Sequence, residues 1–285
     1  MESKTLIGKN NVLFLINDTS KELDIHCDNL NLVSDPILSR YTFKNYFLFV
    51  YPNKSLIYKD FLSDKYVVKY RPAFNIYKLI FKDKLIDLYE ILKNINDVYY
   101  KTDTHINIKG NYIVYEYFIK FLNQKLNLKI IPKNIELNVI NCELNTCNVG
   151  IGDLTWDCNL GKQILLDKTD NYYYNDILDF YCKYKIQNDS SIRFLTYSLE
   201  DKTELLEDKI VNWDIISEYI IYNKNNNLPY LKIIIFYDSF LLSMVKLYLE
   251  MFNEIYLVKN VYSNELIDLI NPDFVFEFRV ERFLF

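Results

Sequence analysis

The apolar positions of this chain fall into short blocks separated by polar turns. Residues 11–16, NVLFLI, and 46–50, YFLFV, are compact runs of aromatic and branched side chains bounded by turn formers, the pattern of buried strands. Pro52 closes the second run. Between 84 and 94, KLIDLYEILKN places Leu85, Ile86, Leu88, Tyr89, Ile91 and Leu92 where they would share one apolar helical face. A further helix is predicted over 111–124, opened by Gly110. Residues 130–190 lose this regularity and hold three of the five glycines, at 150, 152 and 161. Strand character returns at 192–198, IRFLTYS.

The last third has the clearest pattern. LKIIIF (231–236) predicts a strand, 240–252 a helix, EIYLV (254–258) a strand, 264–270 a short helix and DFVFEF (273–278) a third strand. Alternating strands and helices with short connections imply right-handed crossovers and a parallel sheet covered on both faces. The strand runs are almost uninterrupted in apolar residues, as double coverage requires. The expected class is therefore α/β with a mainly parallel sheet. A chain of 285 residues can bury about three quarters of its unfolded surface. No repeat or Pro/Gly/Ser linker divides it, so one domain over 1–285 is expected, with an irregular insertion around 130–190.

Composition narrows the function classes. The 26 Tyr and 19 Phe accompany abundant Asn, Lys and Ile, the bias of an AT-rich coding sequence, and are not evidence of a sugar-stacking or base-stacking surface. A net charge of -5 with mixed signs and no basic block argues against duplex nucleic acid as the main partner. No run of 18 apolar residues suggests a membrane span, and MESKTLIGKN lacks the organisation of a signal peptide, so a cytoplasmic location is expected. Cys27, Cys142, Cys147, Cys158 and Cys182 are odd in number and irregularly spaced, which fits free thiols in a reducing compartment. The Cys142, Cys147 and Cys158 group lacks a paired knuckle or a nearby His, and no metal site is expected.

FYDSF, at the junction between the 231–236 strand and the helix after it, puts Ser239 at the carboxyl end of a parallel strand, where ligands of open α/β sheets bind. A hydroxyl there either caps the helix or serves as a nucleophile on a sharp strand-to-helix turn. A nucleophilic serine needs a base, and the chain has two histidines. His26, in LDIHCDN between Asp24 and Asp28, carries no special turn chemistry and fits a surface or structural role. His105, in YYKTDTHINIKG, follows a strand-like VYY and precedes the Gly-led helix. Asp103 lies two residues before it, close enough for its carboxylate to hold one ring nitrogen and leave the other for a serine. The alternative is a capping Asp beside a packed His.

These blocks resemble the alginate O-acetyltransferase-like SGNH proteins. DTHIN is similar to their Asp-x-His motif and YDSF to their Asp-Ser-Phe block. IGKNNVLFL, FVYPNKSLIY, GIGDL and LINPDFVFEFRVERFL follow in the same family's order, spanning about residue 7 to 285. Ile106 stands where the family usually has Trp, Tyr237 replaces a small or charged residue, and the export signal usual in relatives is not visible. The resemblance implies a flavodoxin-like three-layer α/β/α sandwich in which Asp103 orients, His105 is the base and Ser239 attacks. It also implies acyl, chiefly acetyl, transfer to or from a hydroxyl of a surface polysaccharide or glycan.

An oxyanion is expected to meet backbone amides at the start of the 240–252 helix, that of Ser239 first. Asn107, Arg71 and Arg279 are candidates for a second donor, and Lys54 and Asp153, in family-like blocks, are candidate cleft residues. No bound cofactor is expected, but a transferase needs an acyl donor. The expected partners are a glycan and other polysaccharide-biosynthesis enzymes. Transferase and esterase stay open, as does an inactive carbohydrate-binding or scaffold protein on the same fold.

Overall fold

The computed structural model describes residues 3–28, 43–133, 137–141, 153–155, 170–174, 192–197, 205–207, 220–226, 228 and 230–284. The chain opens with an antiparallel hairpin of β1 (Thr5–Ile7) and β2 (Leu13–Leu15), followed by α1 (Glu22–Asp28). Next come β3 (Tyr46–Tyr51), α2 (Lys54–Ile57), α3 (Pro72–Phe81), β4 (Leu85–Asp87), α4 (Tyr89–Leu92) and the long α5 (Ile108–Leu126). A separate two-stranded sheet pairs β5 (Leu137–Asn141) antiparallel with β6 (Asp170–Tyr174). β7 (Ile192–Tyr197), β8 (Leu205–Glu207), β9 (Ile220–Lys224) and β10 (Lys232–Tyr237) follow. The chain then runs through α6 (Val245–Leu249), β11 (Glu254–Val258), α7 (Asn264–Ile270) and β12 (Phe274–Val280).

Eight strands make the main sheet in the order β4-β3-β12-β10-β11-β9-β7-β8. The first five are mutually parallel, and β9, β7 and β8 extend the sheet antiparallel. The strands alternate between two cores, as a period of two dictates. Phe47, Phe49, Tyr51, Ile233, Ile235, Tyr237, Phe276 and Phe278 join Val114, Phe118 and Leu122 of α5 and the 240–252 segment on one face. Tyr46, Leu48, Val50, Ile234, Phe236 and Val275 meet Phe74 and Tyr77 of α3 and Leu266 and Ile270 of α7 on the other. The result is the expected three-layer α/β sandwich. The carboxyl ends of β3, β10 and β12 lie side by side, because β12 pairs with both neighbours in parallel register.

Four sequence expectations change. The 84–94 stretch is not one helix: Leu85–Asp87 pairs with β3 as an edge strand, and only Tyr89–Leu92 is helical. Leu85 faces one core and Ile86 the other, so the pattern was strand alternation running into a single helical turn. Helix α5 begins at Ile108, capped by the Asn107 side chain, which accepts from the Gly110 amide at 2.9 Å. Gly110 therefore sits inside the helix, where a Cβ would come within 2.5 Å of the Val98 carbonyl oxygen. The expected helix at 240–252 shortens to a 3-10 turn at Leu242–Met244 and then α6, in a segment buried on almost every side. Residues 98–100 form no sheet strand; Tyr99 makes a single antiparallel bridge with Ile106.

Candidate active site

Asp238 and Ser239 leave β10 together and face different partners. Asp238 is buried; its carboxylate accepts from the Phe240 amide at 2.9 Å and from the Val280 amide at 2.7 Å, tying the turn to the end of β12. Burial pushes its carboxyl pKa up, against the pull of Arg279 and those two amides. Asp238 is thus the turn-stabilising residue, and the Ser239 hydroxyl points to His105. The distance from His105 Nε2 to Ser239 Oγ is 2.7 Å.

His105 comes from a tight excursion that the Tyr99–Ile106 bridge closes, two residues before α5 caps at Asn107. Asp103 Oδ1 lies 2.6 Å from His105 Nδ1 and also accepts from the His105 amide at 2.8 Å, so one carboxylate oxygen fixes both ring and backbone. Its other oxygen accepts from the Asp153 amide at 3.0 Å. Burial would raise the Asp103 pKa, but the hydrogen bonds from His105 and from the Asp153 amide outweigh it and hold the carboxyl well below its ordinary range. An ionised Asp103 keeps the proton on Nδ1, which leaves Nε2 to accept from the serine. The imidazole packs against Phe240 with ring centroids 5.0 Å apart. The side chains of His105 and Asp103 are 29% and 22% exposed, so the relay is reachable from solvent.

The amides after Ser239 are mostly engaged. Phe240 N donates to the Asp238 carboxylate, Leu241 N to the Asp238 carbonyl and Leu242 N to the Ser239 carbonyl. Among the described residues the Ser239 amide has no acceptor, unlike those of Phe240, Leu241 and Leu242.

The remaining candidate residues take supporting positions. Asn107 is committed to α5, accepting from Gly110 N and donating to the Asp97 carbonyl at 2.7 Å. Arg71 joins Asp87, at the end of β4, to Glu281 with contacts of 2.7 Å and 2.8 Å. Arg279 alternates with Phe278 and Val280 and turns to the α3/α7 face, where it binds Glu277 at 2.7 Å and the Asn260 carbonyl. These pairs replace the expectation of two arginines free to bind an oxyanion. Asp153 receives the Thr104 amide at 2.8 Å and the Thr104 hydroxyl at 2.6 Å. Burial and the adjacent Asp103 charge raise its carboxyl pKa. Lys54 is buried against three main-chain carbonyls, and burial pushes its ammonium down to about 7 against the attraction of Asp103, Asp153 and Glu22.

Two bracing residues, Arg282 and Asn111, were not among the sequence candidates. Buried Arg282 donates to Glu22 at 3.2 Å and to the Thr104 hydroxyl at 3.3 Å, bracing the His105 turn from the end of β12. Asn111 donates to the Phe240 carbonyl and to Ser243 Oγ at 2.8 Å, bracing the other side of the Ser239 turn. His26 is structural, held between the Tyr70 carbonyl and the Asn53 amide at 2.7 Å each. Ile106 is buried beside Gly110. Cys27 is free; the other four cysteines lie outside the described residues. Asp103, His105 and Asp153 offer atoms within 4.8 Å of one another, a grouping that could suit a cation. Each is already engaged, the histidine with the serine and Asp103 and the second aspartate with Thr104.

Fold and site together define an α/β sandwich with an Asp-His-Ser hydrogen-bonded relay at the carboxyl edge of its sheet. The same fold occurs in PatB1 from Bacillus cereus, with a TM-score of 0.59 and 16% identity over 99% of this chain and 97% of that one. A DHHW family protein from Eubacterium siraeum gives 0.58 and 16% identity over 99% and 92%. The O-acetyltransferase domain of Pseudomonas putida AlgJ gives 0.52 and 14% over 99% and 92%. No protein-family description and no curated protein sequence matches the chain. Among the described residues no helix is long and apolar enough to cross a membrane.

Proposed function

We propose that this protein is an SGNH-type O-acyltransferase in which Ser239 carries an acyl group, chiefly acetyl, between a donor ester and a glycan hydroxyl. The observation that supports it best is the continuous contact Asp103–His105–Ser239, at 2.6 Å and 2.7 Å, on side chains open to solvent. The fold shared with the O-acetyltransferase domain of AlgJ favours acyl transfer over other serine chemistry.

In this reading His105 Nε2 takes the hydroxyl proton as Ser239 Oγ bonds to the acyl carbon. The oxyanion forms against the Ser239 amide. The carbonyl re-forms, the donor's oxygen leaves, and His105 returns its proton to that oxygen. An acceptor hydroxyl then gives its proton to His105 and attacks the acyl carbon; the bond from that carbon to Ser239 Oγ breaks, and His105 returns the proton to Oγ. With water as acceptor the same steps give an esterase.

Acetate release from an acetyl ester, measured with and without glycan acceptors, tests the proposal. Wild type is expected to release acetate, to divert acetyl to a suitable glycan, and to lose both activities in Ser239→Ala. Turnover that survives in Ser239→Ala would contradict it.

A further inference from the structure

Lys54 is the one buried lysine among the described residues. It begins α2 just beyond the carboxyl end of β3. Its Nζ donates to the carbonyls of Leu13 at 2.7 Å, Lys101 at 2.9 Å and Asp103 at 3.0 Å, with the Phe14 ring 5.6 Å away. Desolvating an ammonium among backbone oxygens is costly, and such a residue needs a reason. The count supplies one: the three N–H groups of an ammonium match the three carbonyls, whereas a neutral amine has two and would give up one of the three contacts.

Those carbonyls are not random. Leu13 lies in β2, whose amide also donates to the Lys101 carbonyl at 2.9 Å; Lys101 and Asp103 belong to the excursion that carries the acid and base of the relay. The surrounding carboxylates are engaged elsewhere, Glu22 with Ser55 and Arg282, Asp103 with His105, Asp153 with Thr104. Thr104 is braced from the side by Asp153 and Arg282, but the main chain at Asp103 itself is held from below by Lys54.

We infer that Lys54 is a positioning residue of the catalytic centre: its ammonium gathers the Leu13, Lys101 and Asp103 carbonyls and so sets the Asp103–His105 turn at the right distance from Ser239, without touching substrate. The inference rests on the acyl-transfer reading for its kinetic test but not for its structural one. The two histidines of the chain provide a spectroscopic pair. His105 Nδ1–H faces Asp103, and His26 Nδ1–H faces the Tyr70 carbonyl in the core. Nitrogen-15 histidine labelling, with assignment by His105→Asn, makes the first a reporter of the turn and the second a reporter of the fold.

Lys54→Met is expected to keep the His26 signal and lose the His105 signal. Its kcat on an acetyl ester is expected to fall about 10- to 100-fold with KM within about twofold, the signature of a displaced catalytic group. Lys54→Arg, which keeps a cation and its donors, is expected to restore much of both. If Lys54→Met does not fold, Lys54→Arg serves alone: in any folded variant, signal and kcat moving together supports the inference. A folded Lys54→Met that keeps both, or any folded variant in which one falls without the other or in which only KM rises, overturns it. An inert wild type whose His105 signal still depends on Lys54 would refute the acyl-transfer reading and leave the positioning role intact.

Discussion

Asp238 and Ser239, adjacent at one turn, face different partners. The carboxylate satisfies two amides from different segments, whereas the hydroxyl meets only His105. Substitutions should separate the two roles. Asp238→Asn turns an amide donor toward a backbone N–H and leaves a buried donor unsatisfied, at about 1–3 kcal/mol. Ser239→Ala should change stability by less than about 1 kcal/mol. Urea unfolding is expected to show a lowered midpoint for Asp238→Asn alone, while acetyl-ester turnover falls in both. Equal stability of the two variants would contradict the division of roles. Sequence made part of this legible. Asp103 and His105 are two apart, so a turn alone can bring carboxylate and ring together, and YDSF already marked the strand-to-helix turn that carries Ser239. The arginines were not legible: Arg71 finds its carboxylates 16 and 210 residues away, and only the fold reveals that its donors are occupied.

At the scale of elements, the parallel core was readable because each strand is buried on both faces and each connection is short. The 84–94 stretch misled because six apolar positions within eight residues satisfy a helical face and a strand running into a turn equally well. Pairing with β3 decides the matter, and pairing is non-local. The start of α5 turns on a similar point. Gly110 looks like a helix opener, yet it is a close-approach position between the helix, the Val98 carbonyl and the Ile106 side chain. Gly110→Ala should therefore destabilise by about 1–3 kcal/mol through overpacking, although alanine is the better helix former. Because the same contact sets the base of the His105 excursion, turnover should fall with it. A variant as stable as wild type in urea would show that the helix can move away freely.

At the scale of the molecule, the relay joins segments 134 residues apart at one edge of the sheet, and its charge state couples to the stability of the whole fold. Asp103 has its pKa depressed on folding. Its ionised form is favoured in the native state, so the stability it adds is fully present above the ordinary carboxylate range and is lost as pH falls through that range toward the depressed value. Asp153, raised by burial and by the Asp103 charge, contributes the opposite slope, so the isolating comparison is with Asp103→Asn. Urea midpoints between neutral and acid pH should fall less steeply in Asp103→Asn than in wild type. Identical slopes would mean that Asp103 is not held ionised by the fold.

The central claim is that folding turns one serine into a nucleophile. Its most direct test is reaction of the intact protein with a fluorophosphonate, followed by mass-spectrometric location of the adduct. The account predicts one adduct, on Ser239, formed more slowly in His105→Ala and absent from Ser239→Ala. A folded wild type that stays unmodified, or one labelled at another residue, would contradict it.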